Sequence, residues 1–149
     1  MPFTPQDFFT VFEKYNTAIF PMQVVLIAAA LYAVSLGIRR KQYSNRVVSF
    51  VLESLWIWTG IVYHLTFFVE INPLAYLFGG LFVIQGMLFI FEGVWKQNLR
   101  FQFNADLYGG LGLLLVVYAL VIYPLIGYLL REGFVNSPTF GAPCPITIF

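Results

Sequence analysis

Charge is the scarcest property of this chain. Of its 149 residues only 10% are Asp, Glu, Lys or Arg, against about 25% in an ordinary water-soluble domain. So few charges cannot clothe a hydrated surface, and a fully soluble globule is excluded. The net charge of +1 and the lack of a basic stripe with interleaved aromatics exclude nucleic acid as a partner. There is a single cysteine, Cys144, so no disulfide forms within the chain and no paired-thiol metal site exists. A single histidine, His64, leaves no haem pair and no zinc set. Period-2 alternation is missing, which excludes a membrane barrel. Internal repeats are missing too, and with them the inverted-repeat mark of many secondary transporters. No serine-protease or acid-and-histidine metal arrangement stands out, so the chain reads as neither an enzyme nor a cofactor carrier.

What remains is long apolar runs. A hydrocarbon layer of roughly 30 Å calls for about 20 apolar residues in a helix, and residues 18–38, 47–68, 73–95 and 107–130 each supply them. The fold class that follows is an all-α membrane protein, a bundle of four transmembrane helices in one integral membrane domain. The link between the second and third runs is only "VEIN", which makes them an antiparallel hairpin. Asn72 followed by Pro73 supplies a cap and a first-turn proline for the third helix. Arg39, Arg40, Lys41 and Arg46 fill the first link, Lys96 and Arg100 the third, and only Lys14 and Arg131 lie on the opposite side. Positive charge is retained on the cytoplasmic face. The basic loops 39–46 and 96–106 are therefore expected inside, and the N-terminus and the "VEIN" hairpin outside.

Asp7 and Glu13 stand where a secretory signal would be positive. "TPQD" instead opens a helix, and Phe8, Phe12 and Tyr15 fall on one face of it. Two readings fit: a short interfacial helix, or an extension of the first span. "SPTFGAPCPITIF" closes the chain with Pro and Gly, then turns apolar at Ile146. It reads as the possible start of a fifth span in a longer chain, with "PCP" as its rigid non-helical lead-in.

Polar residues inside the runs are the candidates for chemistry. An ionised acid in a span costs roughly 2.5–3.5 kcal/mol on insertion scales. Glu53 is such an acid, with Glu92 expected at similar depth on the next helix and Gln85 on the face of Glu92. Two acids at one depth could share a proton or hold a cation. Alternatively Glu92 pairs with Lys96, its i+4 neighbour. His64 follows Glu53 by eleven residues, about 16 Å along a helix, so the two do not touch. His64, Asn72 and Cys144 form a second, outer-side polar group; a histidine bonded to a backbone carbonyl, or a soft-metal pair of His64 with Cys144, are the readings there. Gly79, Gly86 and Gly93 repeat at seven residues and read as a helix-packing stripe. Pro124 is expected to kink the fourth helix. Trp56, three residues after Glu53, could find a polar partner for its indole, with packing as the other reading.

"MPFTPQDFFTVFEKYNTAIFP", "VYHLTFFVEINPLAYLFGGLFVIQG" and "SPTFGAPCPITIF" together resemble an uncharacterised family of bacterial polytopic membrane proteins. That family is a domain of unknown function whose members are sometimes labelled transporter permeases. The resemblance implies a bacterial inner-membrane address and draws attention to His64, Ile71 to Pro73 and Cys144, but it carries no active-site role onto them. Two function classes follow. The first is a permease- or channel-like module moving a small solute or ion. The second is an accessory subunit packing against a membrane partner or a second copy of itself. Neither calls for a cofactor.

Overall fold

A computed structural model describes residues 4–131, 133 and 137–149. It begins with a reciprocal helix cap. The Thr4 hydroxyl oxygen accepts from the Asp7 N–H at 3.2 Å, and Asp7 Oδ2 accepts from the Thr4 N–H at 2.8 Å. These bonds hold the Asp7 carboxyl below its ordinary range, the backbone bond most of all. The helix so opened, α1 (Pro5–Ile19), ends where Phe20 turns extended ahead of Pro21. The first span is thus a separate helix, α2 (Met22–Arg39), and α1 is not its extension. Nor does the apolar face of α1 lie on lipid alone. Val11, Phe12, Tyr15 and Ile19 are buried against protein, with the Phe12 and Tyr15 rings 5.8 and 5.2 Å from Tyr63.

Three further helices are long and apolar enough to cross a membrane: α3 (Ser44–Glu70), α4 (Ala75–Trp95) and α5 (Leu107–Leu130). A last short helix, α6 (Pro143–Ile148), follows. Among the described residues there is no β-strand, only an isolated bridge between Phe140 and Ala142. Asn72 turns the hairpin rather than capping α4 directly. Its Oδ1 accepts from the Leu74 N–H at 3.1 Å, its carbonyl accepts from Ala75, and the helix starts two residues later than "NP" suggests.

Parts of three spans are wound wide, with π-type turns over Thr59–Phe67, Phe89–Trp95 and Tyr118–Ile122. In α5 the wide turns end at Ile122, two residues before Pro124. Such turns gather at functional sites, and the stretches of α3 and α5 are the ones α6 packs against.

The elements sort to two ends. At the hairpin end Lys14 of α1 pairs with Glu70 at 2.8 Å, and Asn16 reaches Ser137. At the basic end the two positive links interlock. Arg40, in left-handed conformation, bonds the Phe103 carbonyl and Asn104, and Asn45 Oδ1 accepts from the Phe101 N–H at 2.9 Å. The segment that follows α5 does not stay at the surface, although residues 132 and 134–136 lie outside the described ones. Ser137, Phe140, Ala142 and Ile146 are all buried. Phe140 and Ile146 join Leu26, Ala30 and Ala33 of α2 and Val51 and Leu55 of α3 in the central core. The chain therefore folds back into the bundle from the hairpin end. "PCP" is not a non-helical lead-in: Pro143 opens α6, where a missing N–H costs nothing.

Candidate functional site

Helices in lipid gain little from apolar burial alone, so their seams depend on close packing. The α3–α4 seam shows how this chain achieves it. A Cβ on Gly60 would stand 2.8 Å from the Gly79 carbonyl oxygen, and one on Gly86 would stand 2.6 Å from Ile57. Gly93 presses equally on Ser49. The three glycines of the heptad stripe thus all lie on α3, with Gly60 as a fourth, opposing member that the spacing did not single out.

This packing fixes the level of each polar residue. Gly86 faces the Glu53 carbonyl and Ile57, and Gly93 faces Ser49, so Glu53 stands at a level between Gln85 and Glu92. Glu92 lies on the basic-end side of that level and Gln85 on the hairpin side. Among the described residues no hydrogen bond joins Glu92 to the covered Glu53 oxygen, so the two acids do not share a proton. Glu92 Oε1 accepts from Lys96 at 3.0 Å and Oε2 from Asn98 at 2.8 Å, which makes it the i+4 partner of Lys96. Glu53 stands apart. The residue is half-buried, its Oε2 is fully covered, and that atom has no hydrogen-bond partner among the described residues. Trp56 leaves it unaided, its ring packed at a tilt on Phe82 at 4.7 Å.

His64 lies on the same seam toward the hairpin. It is buried to 5% exposure, packed on Phe82 at 5.0 Å and Phe78 at 6.0 Å, and neither ring nitrogen has a hydrogen-bond partner among the described residues. The carbonyl-bonded histidine is therefore not what forms, and Cys144, exposed on α6, does not bond to it. Asn72 is taken up in the hairpin turn, and among the described residues no hydrogen bond links His64, Asn72 and Cys144. Among the described residues no cluster of three His, Cys, Asp or Glu side chains could hold a metal ion.

A different polar group does converge, and no spacing in the sequence announces it. Tyr15, fully buried, donates its hydroxyl to the Gly141 carbonyl at 2.7 Å and accepts from the Trp58 indole at 2.9 Å. Thr59 approaches the same carbonyl at 3.5 Å. Beside them Asn16 donates to the Ser137 carbonyl at 2.7 Å, and its Oδ1 accepts from Gln23 at 2.9 Å and from Thr139 at 2.7 Å. Irregular backbone at membrane depth persists only where protein or a polar cavity satisfies it, and these side chains of α1, α2 and α3 satisfy residues 137–141. Burial pushes the Tyr15 phenol well up, with the Trp58 bond opposing in part. Aromatic pairs at fixed positions along α1 and α3 are the one signal that could have pointed here.

The chain belongs to a family of unknown function, DUF6064, whose family model matches residues 5–149. No curated protein and no solved structure matches it.

Proposed function

We propose that this protein is a permease- or channel-like module of the bacterial inner membrane, moving a small solute or ion rather than catalysing a reaction. Its basic links face the cytoplasm and Glu53 is its working group. One observation carries the reading: a covered carboxylate oxygen in the second span with no partner among the described residues. An acid at such a position costs several kcal/mol. Structural acids in the same chain avoid that cost by pairing, as Glu92 does with Lys96 and Glu70 with Lys14. An unpaired acid is suited to taking up a proton or a cation and releasing it again. The amide of Gln85, on the facing helix toward the hairpin, offers both a donor and an acceptor to a passing polar group. The wide turns of α3 and α5 lie around α6, and turns of this kind recur at functional sites.

The test is flux. Protein reconstituted in liposomes is loaded with a pH-sensitive dye and assayed under imposed proton, Na⁺ and K⁺ gradients. Glu53→Gln should abolish a gradient-driven signal that Glu92→Gln leaves standing. Equal flux in wild type and Glu53→Gln would refute the assignment.

A second reading has its own observation. The first half of α5, Leu107–Val117, buries no residue, and α5 meets the bundle mainly through α6. An accessory subunit would cover that face with a membrane partner or a second copy. Crosslinking from a cysteine at Leu114 tests it; a monomer without crosslinks speaks against it.

A further inference from the structure

Below α6, at the basic end, the bundle is not closed. α2 and α5 stand apart there, and between them lies a cavity of about 500 Å³. Its walls are Ala33 and Gly37 of α2, Leu52 of α3, Gly112 and Val116 of α5, and its ceiling is Phe149. A space this size accepts a small ligand or a single extended chain. The apolar walls offer too few hydrogen-bond partners to hold a cluster of water molecules.

The mouth has a different chemistry. Phe103 and Asn104 line it, and Arg40 reaches across to bond the Phe103 carbonyl and the Asn104 side chain. Both bonds use one terminal nitrogen, and a guanidinium carries five N–H donors. Arg39 and Lys41 flank Arg40 in the sequence, and Arg100 precedes the lining residue Phe101. One acid, Asp106, lines the cavity, and its Oδ1 is engaged in capping α5 through the Gly109 N–H at 2.8 Å.

An apolar slot at the level of one leaflet, with cationic side chains at its headgroup end, matches one class of molecule. We propose that this cavity binds an anionic phospholipid, one acyl chain lying between α2 and α5 and the phosphate group against Arg40. Basic pockets between transmembrane helices recognise anionic head groups in this way. The bilayer itself supplies the ligand. The inference is independent of Glu53, which faces a different seam.

Two positions separate the acyl slot from the head-group contact. A Cβ on Gly112 would meet nothing within 4 Å, so Gly112→Phe starts its side chain in open space and puts a ring into the slot that Gly112 lines. Arg40→Gln removes the charge, and Arg40→Lys keeps it. The experiment is native mass spectrometry of the full chain in mild detergent, titrated with phosphatidylglycerol and with phosphatidylcholine. Wild type should retain one phosphatidylglycerol and prefer it about fivefold, the factor that one arginine near a membrane surface provides. Arg40→Gln should bring the preference close to one, and Arg40→Lys should keep most of it. Gly112→Phe should weaken both lipids at least tenfold with an unchanged thermal midpoint. Equal binding of the two lipids by wild type, or wild-type lipid retention by Gly112→Phe, would overturn the proposal. So would a lipid-free wild-type dimer that Gly112→Phe dissociates, because a second copy would then occupy the slot.

Discussion

Replacing Tyr15 with phenylalanine removes one oxygen atom from the place where α1, α3 and the returning segment meet. The ring stays, so the contacts with Tyr63 and Phe67 at 5.2 and 5.5 Å survive. Two groups lose their partner: the Trp58 indole N–H and the Gly141 carbonyl. Stranding a buried polar group costs about 1–3 kcal/mol. Trp58 is only half-buried, and Gly141 keeps the long approach of Thr59 at 3.5 Å, so the pair together should cost about 2–4 kcal/mol. The loss falls on the returning segment first. Amide exchange across residues 137–149 should therefore speed up by about 30- to 1,000-fold, with a lowered thermal midpoint in detergent. Tyr32, half exposed on α2, is the control; Tyr32→Phe should stay within about 0.5 kcal/mol. A Tyr15→Phe protein with wild-type exchange in this segment would show that the hydroxyl does not hold it, and the reasoning would fail.

Other consequences follow from the same geometry. Gly60→Ala forces a methyl group onto the Gly79 carbonyl and should destabilise by about 1–3 kcal/mol, whereas Gly80→Ala, with nothing within 4 Å, should be tolerated; thermal midpoints of the two compare them directly. The raised Tyr15 phenol sets a pH dependence. The folded state holds the proton more tightly than the unfolded chain, whose phenol has the ordinary value of 10.0. This contribution is intact below pH 10 and is lost as pH rises beyond it. Alkaline unfolding should therefore be steeper in wild type than in Tyr15→Phe. Lys14→Met breaks a pair whose side chains are 55% and 48% exposed, and it should cost under 1 kcal/mol and less at high salt. A larger loss would mean that α1 depends on that ion pair rather than on its buried aromatic face.

The spans could be read from the sequence because hydrocarbon imposes a length and an apolar content that no other environment requires. The Glu92–Lys96 pair could be read because both ends lie one helical turn apart. The glycine stripe repeats along a single helix, and its period is visible for the same reason. Other features depend on residues distant in sequence. Tyr15, Trp58 and Gly141 come together only after α1 folds onto α3 and the chain turns back. The wide turns over Thr59–Phe67 leave no residue spacing to find. Glu92 was placed level with Glu53 by counting from helix ends. Contacts of Gly86 and Gly93 with α3 put Glu53 between Gln85 and Glu92, and no spacing shows that Asn98 joins Lys96 in holding the Glu92 carboxylate. Asn72 and Pro73 do mark the start of α4, displaced by two residues because the Asn72 side chain builds the hairpin turn first.

The central claim is that four helices cross a bilayer, with the two basic links gathered on one side and α1 and the hairpin on the other. Impermeant maleimide labelling of intact cells decides it, using single cysteines at Lys14, Glu70, Lys41 and Lys96 in a Cys144→Ser background. Positions 14 and 70 should label from outside, and positions 41 and 96 only after the membrane is opened. Labelling of 14 and 41 from the same side would contradict the account.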